Sequence, residues 1–252
     1  MKKIIIALLV LFIPSMPLGA AELTIDIGYY KYEEEVDGAF FMSDESDPMF
    51  FSVGIRDWDR ASKDAFKFLY TAELTYGQTE YTGSGTMTKD YYKARFEGSL
   101  AYDIADFSPF IGIGYRQLYD DSGGKVSSTG ALGYDRRSQY FYIPVGVTGN
   151  ITNDLSFKAQ YNLFLAGIQT SYLSSAISIC GDLDNTQDDG HGFDAALIYK
   201  ISEKFTLFSY YRYWDIEDSR SADIVCAGSV VATGLEPENT TNEAGVGVSL
   251  RF

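Results

Sequence analysis

The chain has 252 residues, with 35 Asp and Glu against 20 Lys and Arg and a formal net charge of −15. That balance disfavours nucleic acid and anionic lipid surfaces as partners, because both are held by clustered cations. Twenty Tyr, 17 Phe and 24 Gly stand beside 6 Pro, 2 Cys and one His, a composition that suits aromatic strands.

At the start, Lys2 and Lys3 precede an apolar run from Ile4 to Ile13, Pro14 breaks it, and the small residues Gly19, Ala20 and Ala21 follow. This order reads as a secretory signal, with cleavage expected after Ala20 or Ala21. The apolar run is about half of the ~20 residues that a spanning helix needs. The expected organisation is a signal peptide over 1–21 and one domain over 22–252. No later stretch is apolar enough for a helical span. A membrane protein built this way has to be a closed β-barrel, since only helices and barrels satisfy every backbone group in lipid.

Ten segments read as strands, near 22–35, 48–58, 64–80, 90–104, 108–120, 136–151, 155–172, 191–202, 205–218 and 242–252. Their connections alternate in length. Short ones lie at Arg60-Ala61-Ser62, Ala105-Asp106-Phe107, Thr152-Asn153 and Ser202-Glu203-Lys204, and long ones at 36–47, 81–89, 121–135, 173–190 and 219–241. Short periplasmic turns and long outer loops are the layout of an outer-membrane barrel, and an even strand count returns both ends to the periplasm. The fold class expected is all-β, a transmembrane antiparallel up-and-down barrel of about ten strands; eight strands and a soluble β-sandwich are the alternatives.

Period-two alternation assigns the two faces. The outward sets are Phe66, Phe68, Tyr70, Ala72 and Leu74; Tyr92, Ala94, Phe96, Gly98 and Leu100; Phe141, Ile143, Val145 and Val147; and Phe157, Ala159, Tyr161, Leu163 and Leu165. The inward set holds Leu69, Thr71, Gln160 and Asn162 with charges of both signs: Asp26, Arg56, Lys67, Glu73, Lys93, Arg95, Glu97, Asp103, Arg116, Lys158, Asp194, Arg212 and Arg251. Unpaired charges in a confined lumen are costly, so these are expected to pair across it. Ten strands enclose little more room than side chains fill, which argues against a wide pore and leaves a narrow channel for small solutes as an alternative. The segment 205–218 is ambiguous, because Phe205, Leu207, Phe208 and Tyr210 break the alternation.

Acidic runs at Glu33–Glu35 with Asp37, at Asp44, Glu45 and Asp47, and at Asp182, Asp184, Asp188 and Asp189 are expected to form a solvated rim. None has the spacing of a calcium loop, and no metal or cofactor is expected. Cys180 and Cys226 fall in two long loops, and in an oxidising compartment they read as one disulfide. It would close about 47 residues and contribute ~4 kcal/mol on the chain-entropy account. Gly112-Ile113-Gly114 is no phosphate loop, since no helix follows it; strand glycines relieve curvature or admit a large neighbour. Pro144 inside a strand marks a bulge or a missing ladder bond. Arg136 and Arg137, at a loop–strand boundary beside Asp135, are candidates for binding the phosphates of lipopolysaccharide, with loop-base ion pairs as the other reading.

His191 is the single histidine, so any His-dependent chemistry rests on it. Asp189-x-His191 resembles one half of the site in omptin proteases, which are ten-stranded barrels with the site at the outer rim. That resemblance implies a rim-site hydrolase. The family's second Asp dyad has no match here, since Asp57-Trp58-Asp59 falls at the periplasmic end. Lipid A-modifying barrel enzymes also use a His beside a Ser or an acid.

The final run alternates, with Ala244, Val246, Val248, Leu250 and Phe252 apolar. Closed by an aromatic, it resembles the terminal strand of bacterial outer-membrane barrels, which implies that Phe252 is the signal read by the barrel assembly machinery. With the leader and the hairpin rhythm, the chain resembles the small monomeric barrels of the OmpA, OmpX and opacity type. The resemblance implies a bacterial outer-membrane location with lipid and lipopolysaccharide as surroundings, a monomeric state, and loops offered to an extracellular ligand for adhesion, envelope integrity or partner binding. Enzymatic activity is the less favoured expectation.

Overall fold

The computed structural model describes residues 21–58, 65–104 and 106–252. The expected leader up to residue 20, the turn at Arg60-Ala61-Ser62, Asp59 and Ala105 lie outside the described residues. The strands are β1 (Glu22–Val36), β2 (Ala39–Ser46), β3 (Phe50–Asp57), β4 (Phe66–Gly83), β5 (Gly85–Tyr102), β6 (Phe107–Asp121), β7 (Asp135–Asn150), β8 (Leu155–Tyr172), β9 (Leu183–Gln187), β10 (Gly190–Lys200), β11 (Phe205–Ile216), β12 (Ala222–Cys226), β13 (Ser229–Gly234) and β14 (Glu238–Arg251).

All but β12 and β13 join in one antiparallel sheet. β2 and β3 are two lengths of a single wall strand, since both lie between β1 and β4. β9 and β10 likewise follow one another along β8. The wall therefore has ten strands, and it closes where β1 meets β14 in register from Glu22↔Arg251 to Glu35↔Glu238. Closure leaves no unpaired edge in lipid, which is what a barrel offers over an open sheet.

The alternation read from the sequence is the alternation of the wall. Ile25, Ile27, Val53, Phe68, Leu100, Ile111, Ile113, Leu163, Leu165, Leu197, Val246 and Val248 are exposed on the outside, while Asp26, Arg56, Glu73, Arg95, Glu97, Arg116, Lys158, Asp194 and Arg212 are buried inside. This inverts a soluble protein, and the outer band is a surface for lipid. Along β11 the ambiguity resolves without a break: Phe205 and Leu207 face out, and Phe208 and Trp214 are buried in the lumen. A tilted strand crosses a bilayer in about 9–11 residues, whereas β4, β5 and β8 have 18 each. The surplus stands above the outward Tyr29, Tyr76 and Tyr92 and lifts the outer part of the barrel out of the membrane.

Two expected loops are corrected to continuing strand. The stretch 36–47 is a tight hairpin, because Asp37 and Gly38 take φ of 53° and 72° and so make the two-residue turn that Asp-Gly favours. The stretch 81–89 turns at Ser84 alone, with Gly83↔Gly85 pairing across it. The β6–β7 ladder lapses between the pairs Ile111↔Val145 and Gly114↔Tyr142, opposite Pro144, which lacks the N–H to donate. The bulge itself falls on β8, where Phe141↔Ala166 is followed by Tyr142↔Phe164.

Strand glycines serve the aromatic filling. A Cβ on Gly114 would lie 2.2 Å from the Tyr142 ring, and one on Gly192 would lie 2.8 Å from that of Trp214. Each ring lies flat over a neighbouring strand's bare backbone. Gly192→Val should therefore displace the Trp214 indole and cost about 1–3 kcal/mol, as overpacking does; urea titration of the refolded barrel, followed by Trp fluorescence, measures it.

Candidate functional site

Three storeys of side chains fill the lumen. At the short-turn end, Glu22 receives Arg56 at 3.1 Å and Arg251 at 3.0 Å, with the Ser249 hydroxyl donating at 2.7 Å. The Arg56 guanidinium is sandwiched between the rings of Trp58, 4.4 Å away, and Phe208, 4.1 Å away. Lys67 pairs with Asp57 at 2.7 Å, and Asp103 accepts from Ser108 at 2.5 Å.

The middle storey is held by pairs that cross the barrel. Arg212 on β11 meets Glu73 on β4 through two bonds of 2.7 and 2.8 Å, the fork geometry in which guanidinium and carboxylate bind best. Glu243 on β14 gathers Lys93 at 2.6 Å, Arg116 at 3.2 Å and Arg212 at 3.5 Å. Arg95 bridges Glu97 at 2.6 Å and Asp194. Glu97 also accepts from Tyr142, Gln160 and Lys158 at 2.9, 2.7 and 3.3 Å. Tyr210 donates to Asp26 at 2.9 Å. Two gaps between these groups have volumes of about 10 Å³ each, one beside Arg116 and Glu243 and the other beneath Glu97 and Lys158. Each holds about one water.

The upper storey pairs ions within a collar of buried rings. Tyr30, Tyr32, Phe50, Tyr91, Tyr140, Tyr142 and Trp214 pack as one cluster with Met42, Leu118 and Ile216. Among them, Lys89 bridges Asp44, at 2.9 Å, and Asp120. Arg136 reaches Glu34 at 2.5 Å, Asp120 at 3.6 Å and Glu236 at 3.8 Å. Glu236 lies outside the wall strands, in the segment after β13, and seals the mouth: its N–H donates to Ser219 at 2.7 Å, and Tyr32 donates to its carboxylate at 3.2 Å. Four acids share two cations here. Burial, and then the neighbouring Glu34 charge, push the Glu236 carboxyl up to about 8.

Of the charges expected inward, Asp26, Arg56, Glu73, Arg95, Glu97, Asp103, Arg116, Lys158, Asp194 and Arg212 are buried, Lys93 is nearly so, and Lys67 and Arg251 are partly exposed at the short-turn end. Three assignments change. Glu34 and Asp44 are buried inside rather than in a solvated rim. Of the two readings given for Arg136, the geometry has the ion pairs: it points inward and is taken up by carboxylates; Arg137 faces outward, 5.6 Å from the Tyr172 ring. His191 lies on the outer face of β10 between Tyr161 and Tyr213, with ring centroids 6.0 and 6.2 Å away. Asp189 accepts from the Gly190 N–H instead, so the two make no dyad. Glu22, Glu243, Lys89 and Asp120 escaped the sequence reading, although period two already puts Glu243 inward.

Cys180 and Cys226 form a disulfide. It joins a strand-like piece at 179–181 to β12, where Gly181 donates to Val225 and Ala227 donates to Ile179. The Asn185 amide ties the same region to the carbonyls of Arg220 and Gly234 at 3.0 and 3.2 Å. Phe252 is exposed just beyond β14.

No protein-family model matches the chain, and no curated protein matches it. Among solved structures, the translocator domain of the autotransporter NalP from Neisseria meningitidis is 13% identical, at a TM-score of 0.42, over 100% of this chain and 96% of that one. Ail of Yersinia pestis is 12% identical at 0.38, over 92% and 99%. The toluene transporter TbuX of Ralstonia pickettii is 11% identical at 0.34, over 92% and 90%. On its own geometry, a closed antiparallel wall with lipid-facing outside and charged inside, the chain is an outer-membrane β-barrel.

Two predictions follow from the cap. Glu236 keeps a proton in the folded cap that it loses in the unfolded chain, so its contribution is full below its ordinary value of 4.5, declines as pH rises, and is gone above about 8. Hydrogen exchange at 217–237 should accelerate through that range beyond its intrinsic rise, and Glu236→Gln should remove the excess. Replacing both Cys180 and Cys226 by Ser should leave the wall folded, as judged by heat-modifiable gel migration. Limited proteolysis between 219 and 235 should then speed up about tenfold, as expected of a locally loosened segment.

Proposed function

We propose that this barrel is a sealed, non-enzymatic outer-membrane protein whose work is done by its outer loops, offered to an extracellular partner. The observation that carries the reading is the cross-lumen pairing of Arg212 with Glu73, Lys93 with Glu243 and Arg95 with Asp194, with gaps of only about 10 Å³ between the groups. A permeant solute would have to separate several buried ion pairs at once, each strongly destabilising to break. Supporting it from the enzyme side, His191 faces outward between the rings of Tyr161 and Tyr213. The outer loops carry clustered acids, exposed apolar side chains and a disulfide, and loops held by a rigid scaffold are where binding residues concentrate.

Recordings of the refolded protein in planar bilayers test this. The expected result is silence for the native barrel and steady conductance for a variant with both Glu73→Gly and Arg212→Gly. Nanosiemens conductance from the native barrel would overturn the reading.

A further inference from the structure

The loops between β8 and β10 and between β11 and β14 build a second, smaller sheet outside the membrane. Its middle strand is β12, paired on one side with β13 from Ala222↔Gly234 to Cys226↔Ser229. On the other side, Cys180 lies opposite Cys226, with Gly181 donating to Val225 at 2.9 Å and Ala227 donating to Ile179 at 2.7 Å. Directly opposed residues share a face, so Val225, Val230 and Ile179 line one side and the disulfide lies on the other. That apolar side is bare: Ile179 is 65%, Val225 39% and Val230 59% exposed.

β13 has no second neighbouring strand among the described residues, and it is exposed up to Thr233. Its outer edge therefore presents alternate N–H and C=O groups to solvent, a template that natural sheets ordinarily blunt with Lys, Pro or a covering segment. Here there is no Lys or Pro in Ser229–Gly234. A bulge at Val231 is the one irregularity, since Val225 pairs with Val230 and Ile224 with Ala232. The sheet is also pre-ordered, by the disulfide and by the two bonds from Asn185.

Charge decides the occupant. Residues 173–190 and 217–238 contain nine Asp and Glu, and their one cation is Arg220, which is paired with Asp188. Such a field repels anionic lipid and a second copy of this chain, and attracts a cationic segment. We propose that the outer edge of β13 docks an extended polypeptide strand in which apolar and basic side chains alternate. Main-chain bonds to β13 supply affinity, Val225, Val230 and Ile179 receive the apolar side chains, and the surrounding carboxylates receive the basic ones. This rests on the reading of the barrel as a loop-presenting surface protein, and it names where and what the loops bind.

The probe is a peptide of about nine residues alternating Lys and Val, long enough to cover a strand, titrated by fluorescence anisotropy into the full barrel in nanodiscs. Two control peptides share its length: one with Glu for Lys, and one with alternate amides N-methylated, which keeps charge and apolarity but removes the ladder donors. Binding should be about tenfold tighter for the unmodified Lys/Val peptide than for either control, a free-energy difference of about 1.4 kcal/mol. Amide exchange should slow at 229–234, and Ile179→Ser with Val230→Ser should weaken binding while leaving heat-modifiability intact. Equal binding of the N-methylated peptide, or protection elsewhere than 229–234, would overturn the proposal. So would protection of 229–234 without peptide, whether from self-association or from phosphatidylglycerol vesicles. A silent barrel that ignores the peptide sinks the docking edge alone, and a conducting barrel that binds it sinks the sealed lumen alone.

Discussion

Glu243 sits in the middle of a lumen walled by lipid-facing strands, and three cations from β5, β6 and β11 converge on it. The wall itself asks little of its side chains, because its backbone bonds close on themselves. The interior is the demanding part. Too narrow for bulk water, it still has to take the polar half of every alternating strand, so each charge needs a partner on another strand. Pairing across the barrel satisfies that need and also fixes distances between opposite walls. Arg212 and Glu73 lie 139 residues apart in sequence and meet through two bonds; ovalising the barrel would break both. The rings of Tyr142 and Trp214, seated on Gly114 and Gly192, fill what the ion pairs leave.

The same accounting changes character toward the outer mouth. In the middle storey Lys93, Arg95, Arg116, Lys158 and Arg212 face Asp26, Glu73, Glu97, Asp194 and Glu243, and the charges match. Above them Glu34, Asp44, Asp120 and Glu236 share only Lys89 and Arg136. A surplus of acid under a cap is tolerable only while one carboxyl stays protonated, and Glu236 is the one that hangs on a loop rather than on the wall. The rigid body and its adjustable lid thus differ in charge balance as well as in backbone.

How much of this could be read in advance follows from where periodicity holds. Between lipid and lumen the period is two apart from the bulge on β8, so Arg56, Glu73, Lys93, Arg95, Glu97, Arg116, Lys158, Asp194 and Arg212 were legible as lumenal. Their partners across the barrel were not, because partner choice depends on register and on which strands face one another. Above the bilayer both faces meet water, and the alternation that betrays direction disappears. Glu34 and Asp44 then look like any solvated acid, and Arg136 looks like a surface cation. Asp37-Gly38 did carry a local signal, the hairpin dipeptide, and reading it would have turned a loop into two strands. His191 shows the converse: its spacing from Asp189 suggested chemistry, yet period two puts it on the outer face with Phe193 and Leu197, where a ring suits the tyrosine level.

A chain of this charge has to avoid repelling itself, and it does so by partition. Acids inside are matched or protonated, while unmatched acids stand on the loops, where water and salt screen them. That partition leaves the outer loops both strongly acidic and relieved of any duty in the wall. Apolar side chains such as Ile179 and Val230 in that setting lie outside the wall, and the disulfide beside them ties together a small sheet separate from it. Ordering a segment costs conformational entropy, and a covalent tie plus buried Asn185 bonds are spent here on a piece of chain that packs little apolar surface of its own. Such an arrangement makes physical sense when the ordered surface is completed by something else, with the filled barrel as its rigid pedestal.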